Sequence, residues 1–237
     1  RLTGVGEGDA ESVMHLEIDR QTPEDNARIE ALVRGVLDDV RVIVADWPSM
    51  REKMLQMATD LESQKIPVSE SSRAEAQEFL RWAANDHFTF FGYRAYKVKR
   101  KGDDARLEAV PDSGMGLLRT PGAVKSRPIS ELGADALRRE GLIDALILTK
   151  TSARSTVHRP GYMDYIGILG YDDAGNVVSE QRFLGLYTSS AYTRRPWDIP
   201  LVRERFEHVM TESGLKPTGH SGKALKHLLE TLPRDEL

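Results

Sequence analysis

Apolar positions along this chain change period several times, and each change marks an element. Ile29, Leu32, Val33, Val36, Leu37, Val40 and Ile43 recur at spacings of three and four, which predicts one amphipathic helix. Thr22 stands before Pro23 with Asp25 three positions on, a capped start with proline in the first turn. Pro48 interrupts the pattern, so a second helix is predicted beyond it, capped by Asp46 and carrying Met50, Met54, Met57 and Leu61 along one side. The methionine stripe is read as packing, because a thioether fills irregular gaps without strain. "SQKIPVSES" then breaks the period and predicts a boundary near residue 67. Upstream, "SVMHLEID" alternates and is read as one strand with Met14, Leu16 and Ile18 towards a core.

Beyond residue 67, Ser72 and Glu75 stand in capping-box register ahead of "RAEAQEFLRWAANDH", a helix burying Phe79, Leu80 and Ala83. It feeds into "HFTFFGYRAYKV", whose aromatic residues fall on both faces, as in an interior strand covered from both sides. His87 is placed at that helix-strand junction. "KRKGDDARLEAV" supplies a turn and a return strand; residues 111–128 read as a long loop, 131–140 as a short helix and "DALILTK" as a strand. "YMDYIGILGYDDAGNVVSEQRFLGLYTSSAYT" is a long hairpin joined by "DDAGN". Two helices follow, Ile199 to Met210 and Gly222 to Leu232, with Pro200 near the start of the first and Gly214 placed to end it. The alternation predicts an α+β fold: a mainly antiparallel sheet covered by helices, preceded by a helical connector.

Composition narrows the function classes. With 40% hydrophobic and 30% charged residues the chain has material for one large domain or two small ones. The net charge is -4 and the 33 basic residues are dispersed, so no nucleic-acid footprint is expected. No cysteine is present, which excludes a disulfide framework, a thiolate metal site and a cysteine nucleophile, and makes the reducing cytoplasm the expected compartment. No apolar run approaches the ~20 residues of a bilayer helix, and no membrane partner is expected. The ends, "RLTGVGEGDAE" and "PRDEL", read as cuts within something longer.

"STVHRPGYMDYIGIL", residues 155 to 169, sets Ser155, His158 and Asp164 close together. Acyl transfer needs a nucleophile within reach of a base that a carboxylate orients, and donors for the oxyanion. Ser155 lacks the strand-to-helix elbow, and Pro160 and Gly161 separate His158 from Asp164 by a turn. The competing reading makes Lys150, Arg154, Ser155, His158 and Arg159 a polar rim for an anionic ligand or a neighbouring domain, or simply a solvated loop. Arg194 and Arg195, beside a tyrosine in "SAYTRRP", are candidates for an interface. "GVGEG", "GMG" and "GHSGK" lack the context of a dinucleotide or phosphate loop, and the histidines lack metal spacing. No catalytic, cofactor-binding or metal residue is therefore assigned.

"FLRWAANDHFTFFGYRAYKV", "ILTKTSARSTVHRPGYMDYIGI", "EQRFLGLYTSSAYTRRPWDIPLVRERFEHVM" and "SGKALKHLLETLPRDEL" resemble the amino-terminal regulatory region of the large bacterial NAD-specific glutamate dehydrogenases, collinearly over residues 10–237. The resemblance implies ACT-like modules: residues 1–20 ending one, 21–66 a helical connector, 67–214 a second, and 215–237 a helix leading to the next. It implies NAD in the parent enzyme and none in this segment. The partners it implies are other modules and subunits of the same enzyme, an amino-acid effector among the ligands. It supplies no catalytic residue here, because the glutamate-binding lysines, the catalytic aspartate and the nucleotide-binding turn of that family lie in the portion that follows. Regulation, pure scaffolding and an independent serine hydrolase at Ser155 and His158 are the readings carried forward.

Overall fold

A computed structural model describes residues 13–64, 66, 68–101, 104–120 and 146–231. The chain divides into two units, residues 1–37 and 38–237. In the first, residues 13–22 have no regular secondary structure, and none of the described residues is buried. The strand expected at "SVMHLEID" is therefore absent over the described part: Met14, Leu16 and Ile18 are 61%, 65% and 57% exposed. An alternating pattern becomes a strand only where a neighbour takes up its backbone groups, and none among the described residues pairs with it. Gly4, Gly6 and Gly8 lie outside the described residues.

Helix α1 runs Pro23–Ser63 without interruption. Its start is as expected, with the Asp25 amide donating to Thr22 Oγ1 and the Thr22 hydroxyl donating to Asp25. Pro48 lies inside the helix rather than between two helices. Loss of one backbone bond and the ring clash cost about 3 kcal/mol; burial of Met50, Met54, Ala58 and Leu61, each fully enclosed, offsets that cost. Asp46 consequently caps nothing and is used elsewhere.

Helix α2, Glu70–Trp82, starts three residues ahead of the predicted cap: Ser69, not Ser72, accepts the Ser72 amide at 3.1 Å. A tight turn over Ala83–His87, with Asp86 at φ 61, reverses the chain into the sheet. His87 stacks on Trp82 at 4.4 Å and its Nδ1 faces the Trp82 carbonyl at 2.9 Å. A carbonyl only accepts, so Nδ1 carries the proton.

The sheet is antiparallel throughout, with strands β1 (Phe88–Lys101), β2 (Asp104–Ala109), β3 (Met115–Gly116), β4 (Leu146–Arg154), β5 (Tyr162–Tyr171) and β6 (Val177–Tyr187). Their order is β2-β1-β6-β5-β4, with β3 also on β1. The hairpin between β5 and β6 closes as predicted: Gly175 takes φ 79, and Asp172 Oδ1 accepts the Ala174 and Asn176 amides. The predicted strand "DALILTK" is β4, extended to Arg154, and the helix expected near 131–140 lies outside the described residues.

Directly paired residues share a face. Tyr93, Phe183 and Ile166 lie on one, packed with Met50, Met54, Phe79 and Leu80 into the main core. Arg94, Tyr96, Glu180, Arg182 and Leu184 lie on the other. After β6 come a single turn α3 (Ser189–Tyr192), helix α4 (Val202–Glu212), ended by Gly214 at φ 64, and helix α5 (His220–Thr231). Phe206, Met210 and Leu229 join α4 to α5 in a second, small core beside Trp197. The α+β class, the antiparallel sheet and the helical amino-terminal part are thus as the sequence predicts.

Candidate functional site

The serine, histidine and aspartate of "STVHRPGYMD" are not brought together. The chain leaves β4 into a tight loop closed by the Ser155 amide donating to the Gly161 carbonyl at 2.8 Å. Within it the Ser155 hydroxyl donates to the Val157 carbonyl at 2.7 Å and accepts the Val157 amide at 3.1 Å. Ser155 is buried as the brace of its own turn. His158, at φ 64, is exposed, and no hydrogen bond joins it to Ser155 or Asp164. Asp164 is 3% exposed and already engaged: Oδ1 accepts Lys150 Nζ at 2.8 Å and Oδ2 accepts the Tyr187 amide at 3.1 Å.

The basic residues singled out from the sequence disperse in the same way. Arg154 lies over the Tyr162 ring at 5.3 Å. Arg159 donates to the Tyr187 carbonyl at 3.0 Å with its guanidinium 5.4 Å from the Tyr192 ring. Arg195 pairs with Asp198 in its own loop, and Arg194 is exposed beside it. Lys150 lines a cavity.

That cavity, of about 300 Å³, opens between α2, the β4–β5 edge, α3 and the start of α4. Phe79, Trp82 and Tyr187 form its aromatic wall, with ring centroids 5.7 to 6.5 Å apart. Leu148, Ile199 and Val202 add apolar surface; Lys150, Asp164 and Arg205 supply charge. Burial first, then the Asp164 carboxylate and Tyr192, push the Tyr187 phenol far above its ordinary range, so it stays protonated.

One lip is held by a latch the sequence does not reveal. Glu75 Oε2 accepts the Leu201 amide at 2.9 Å, and Arg203 of α4 binds both Glu75 and Glu78 of α2. Leu201 stands at φ 67, a conformation a branched side chain rarely adopts and the surrounding structure must impose. Glu75 had a local reading as a helix-capping residue; its use by a backbone amide 126 positions away carries no sequence signature.

The glycine motifs make chain contacts. A Cβ on Gly114 would lie 2.2 Å from the Leu118 carbonyl oxygen, and one on Gly116, at φ 56, would lie 2.1 Å from that of Phe91. Gly222 likewise abuts the Lys216 carbonyl. At Gly114, Gly116 and Gly222 the missing side chain therefore serves close backbone approaches within the chain. Among the described residues no group of three or more His, Asp or Glu could hold a metal ion, and no helix is long and apolar enough to cross a membrane.

Comparison with known proteins supplies the context for this cleft. The family model for helical motif 1 of glutamate dehydrogenase matches residues 199–237, which include α4 and α5. The chain is 36% identical over 230 residues to an NAD-specific glutamate dehydrogenase of Halomonas elongata and 39% identical over 230 residues to one of Pseudomonas aeruginosa. Each alignment covers 96% of this chain and 14% of the relative. A third such enzyme, of Mycobacterium tuberculosis, is 29% identical over 212 residues, covering 89% of this chain and 12% of its own length. The matches support the large NAD-specific glutamate dehydrogenases as the family of this chain, which is similar to about 14% of the length of those relatives.

Proposed function

We propose that this chain is a non-catalytic regulatory and assembly segment of an NAD-dependent glutamate dehydrogenase. The parent enzyme would oxidise L-glutamate to 2-oxoglutarate and ammonia with NAD as hydride acceptor, on residues outside this segment. The observation that carries the reading is the cleft beside Lys150 and Asp164: it has apolar walls and fixed charges, the features of a small-molecule binding site, while the Ser155 hydroxyl is committed to its own turn. Binding there, or contact with another module or subunit, would bias the distant catalytic portion; coupling of this kind is typically about 1–3 kcal/mol. The domain reading stands within the same proposal: residues 1–20 as the end of one ACT-like module, 21–66 as a connector, 67–214 as a second module and 215–237 as a lead into the next.

The test is turnover and binding on the chain itself. Incubated with glutamate and NAD it should form no NADH, and a serine-reactive probe should leave Ser155 unlabelled; steady NADH formation or a labelled Ser155 would overturn the proposal. Calorimetric titration with amino acids separates sensing, which gives heat with one or a few of them, from scaffolding, which gives none.

A further inference from the structure

We propose that the segment from Pro196 to Thr231 is a unit docked on α2 and the sheet in a strained state, held by a clamp of Glu75, Glu78 and Arg203, and that release of the clamp lets it undock as a body. This device goes beyond the regulatory reading, because it concerns only how two parts of this chain are joined.

The unit is tied together by its own contacts. Phe206, Met210 and Leu229 make a core separate from the main one. Trp197, in the short turn Pro196–Asp198, packs its ring 5.4 Å from that of Phe206 and donates from Nε1 to Glu230 of α5 at 2.8 Å. Lys226 of α5 lies over the same ring at 4.9 Å. The turn, α4 and α5 therefore hold one another, as a cooperative unit does.

The joint with α2 and the sheet is made differently. Ile199 and Val202 share with Phe79, Trp82 and Leu148 the cleft of about 300 Å³, so these apolar surfaces stand apart across it and forgo the dispersion contacts of a packed core. Leu201 does pack against the main core, but at φ 67 and ψ -41, outside the regions open to a residue with a side chain. No side chain of its own segment caps α4 at that end; Glu75, from α2, accepts the Leu201 amide instead. Both oxygens of the same carboxylate accept Arg203 Nε, at 3.0 and 3.1 Å, and Glu78 also binds this guanidinium. Glu75 thus fixes at once the strained residue and the cation that follows it. Three residues apart on one helix, Glu75 and Glu78 are like charges that repel unless a cation lies between them. Loss of the Arg203 charge leaves that repulsion and the strain at Leu201 both favouring departure, which makes the joint a two-state element.

The chain contains no cysteine, so single introduced thiols report where it opens. Ile199→Cys probes the joint, Leu229→Cys the core of the unit and Ile166→Cys the main core; all three positions are buried. With a small maleimide each should label slowly. Adding Arg203→Met should speed labelling at Ile199→Cys at least about tenfold and leave the other two slow. Glu75→Gln, which keeps an oxygen for the Leu201 amide but no charge for Arg203, should give the same pattern more weakly. Unchanged labelling at Ile199→Cys in both variants would overturn the proposal, because the clamp would then hold nothing. Equal acceleration at Ile166→Cys in both would overturn it by showing that the chain opens as a whole. Equal acceleration at Leu229→Cys would do so by showing that α4 and α5 unfold rather than move together. The readout needs neither glutamate nor NAD, so it is independent of whether the chain regulates an enzyme.

Discussion

Arg182 and Phe183 are neighbours on β6, yet they stabilise the molecule in opposite ways. Phe183 points into the main core, where its ring meets Tyr93 at 4.9 Å and Phe90 at 6.0 Å and no polar atom needs a partner from it. Arg182, on the other face, is 6% exposed and forms a two-pronged pair with Glu180, which is 0% exposed, at 3.2 and 3.1 Å. Its guanidinium also lies 4.2 Å from the Tyr96 ring and donates to the Tyr165 hydroxyl at 3.1 Å. One face needs volume; the other needs the Glu180 carboxylate and the Arg182 guanidinium matched to each other.

The largest effects should come from breaking each face at its centre. Phe183→Ala removes a fully buried ring and should cost about 3–5 kcal/mol. Arg182→Met should cost a similar 3–5 kcal/mol for a different reason, because it strands the Glu180 carboxylate in the interior. Urea unfolding separates the two causes through a second substitution. Adding Glu180→Leu to Arg182→Met should recover most of the loss, since a buried pair replaced as a unit is often neutral or better. No partner change rescues Phe183→Ala in that way. Additive losses in the double variant would show that Glu180 has another counter-charge.

Gly167 offers a smaller break confined to the polar face. It pairs with Arg182 across β5 and β6, and a Cβ there would lie 2.8 Å from the Tyr165 ring and 3.2 Å from Glu180 Oε1. Gly167→Ala should therefore cost about 1–3 kcal/mol through displacement of the Tyr165 ring. In the Glu180→Leu, Arg182→Met background the penalty should change, because the group that holds Tyr165 is gone. An identical penalty in both backgrounds would mean the strain is purely backbone.

Much of this fold was legible in the sequence because the deciding interactions are local. The start of α1, the Asp172–Asn176 hairpin turn and the stop at Gly214 each depend on residues within five positions. What failed depends on distant partners. Pro48 stays helical because Met50 and Met54 are buried, and residues 13–19 form no strand because nothing among the described residues pairs with them. Of the candidate site, the sequence singles out Lys150 and Asp164. Trp82 of α2, Tyr187 of β6 and the Leu201–Val202 start of α4 come from three elements, and each alone looks like ordinary core. Glu180 and Arg182 read as polar positions in a strand; their burial as a pair follows only from the register with Tyr96 and Tyr165.

The smallest effect concerns a tie that links the helical side to the polar face. Asp46 of α1 accepts two hydrogen bonds from the Arg119 guanidinium, at 2.8 and 2.6 Å, and one from the Gly116 amide at 2.7 Å. The Arg119 carbonyl in turn accepts Arg94 Nη2 at 2.7 Å. The Arg119 hydrogen bond, followed by that from Gly116, holds the Asp46 carboxyl below its ordinary 3.8. A carboxylate depressed in the folded state stabilises it fully above the unfolded value and loses that contribution as pH falls through the folded one. Asp46→Asn should therefore lower the urea midpoint at neutral pH and narrow its deficit as pH drops below about 3.8. Because Arg119 is 53% exposed, salt should also shrink the neutral-pH difference. A deficit constant from neutral to acid pH would assign the role of Asp46 to the Gly116 hydrogen bond alone, which an asparagine oxygen keeps in part.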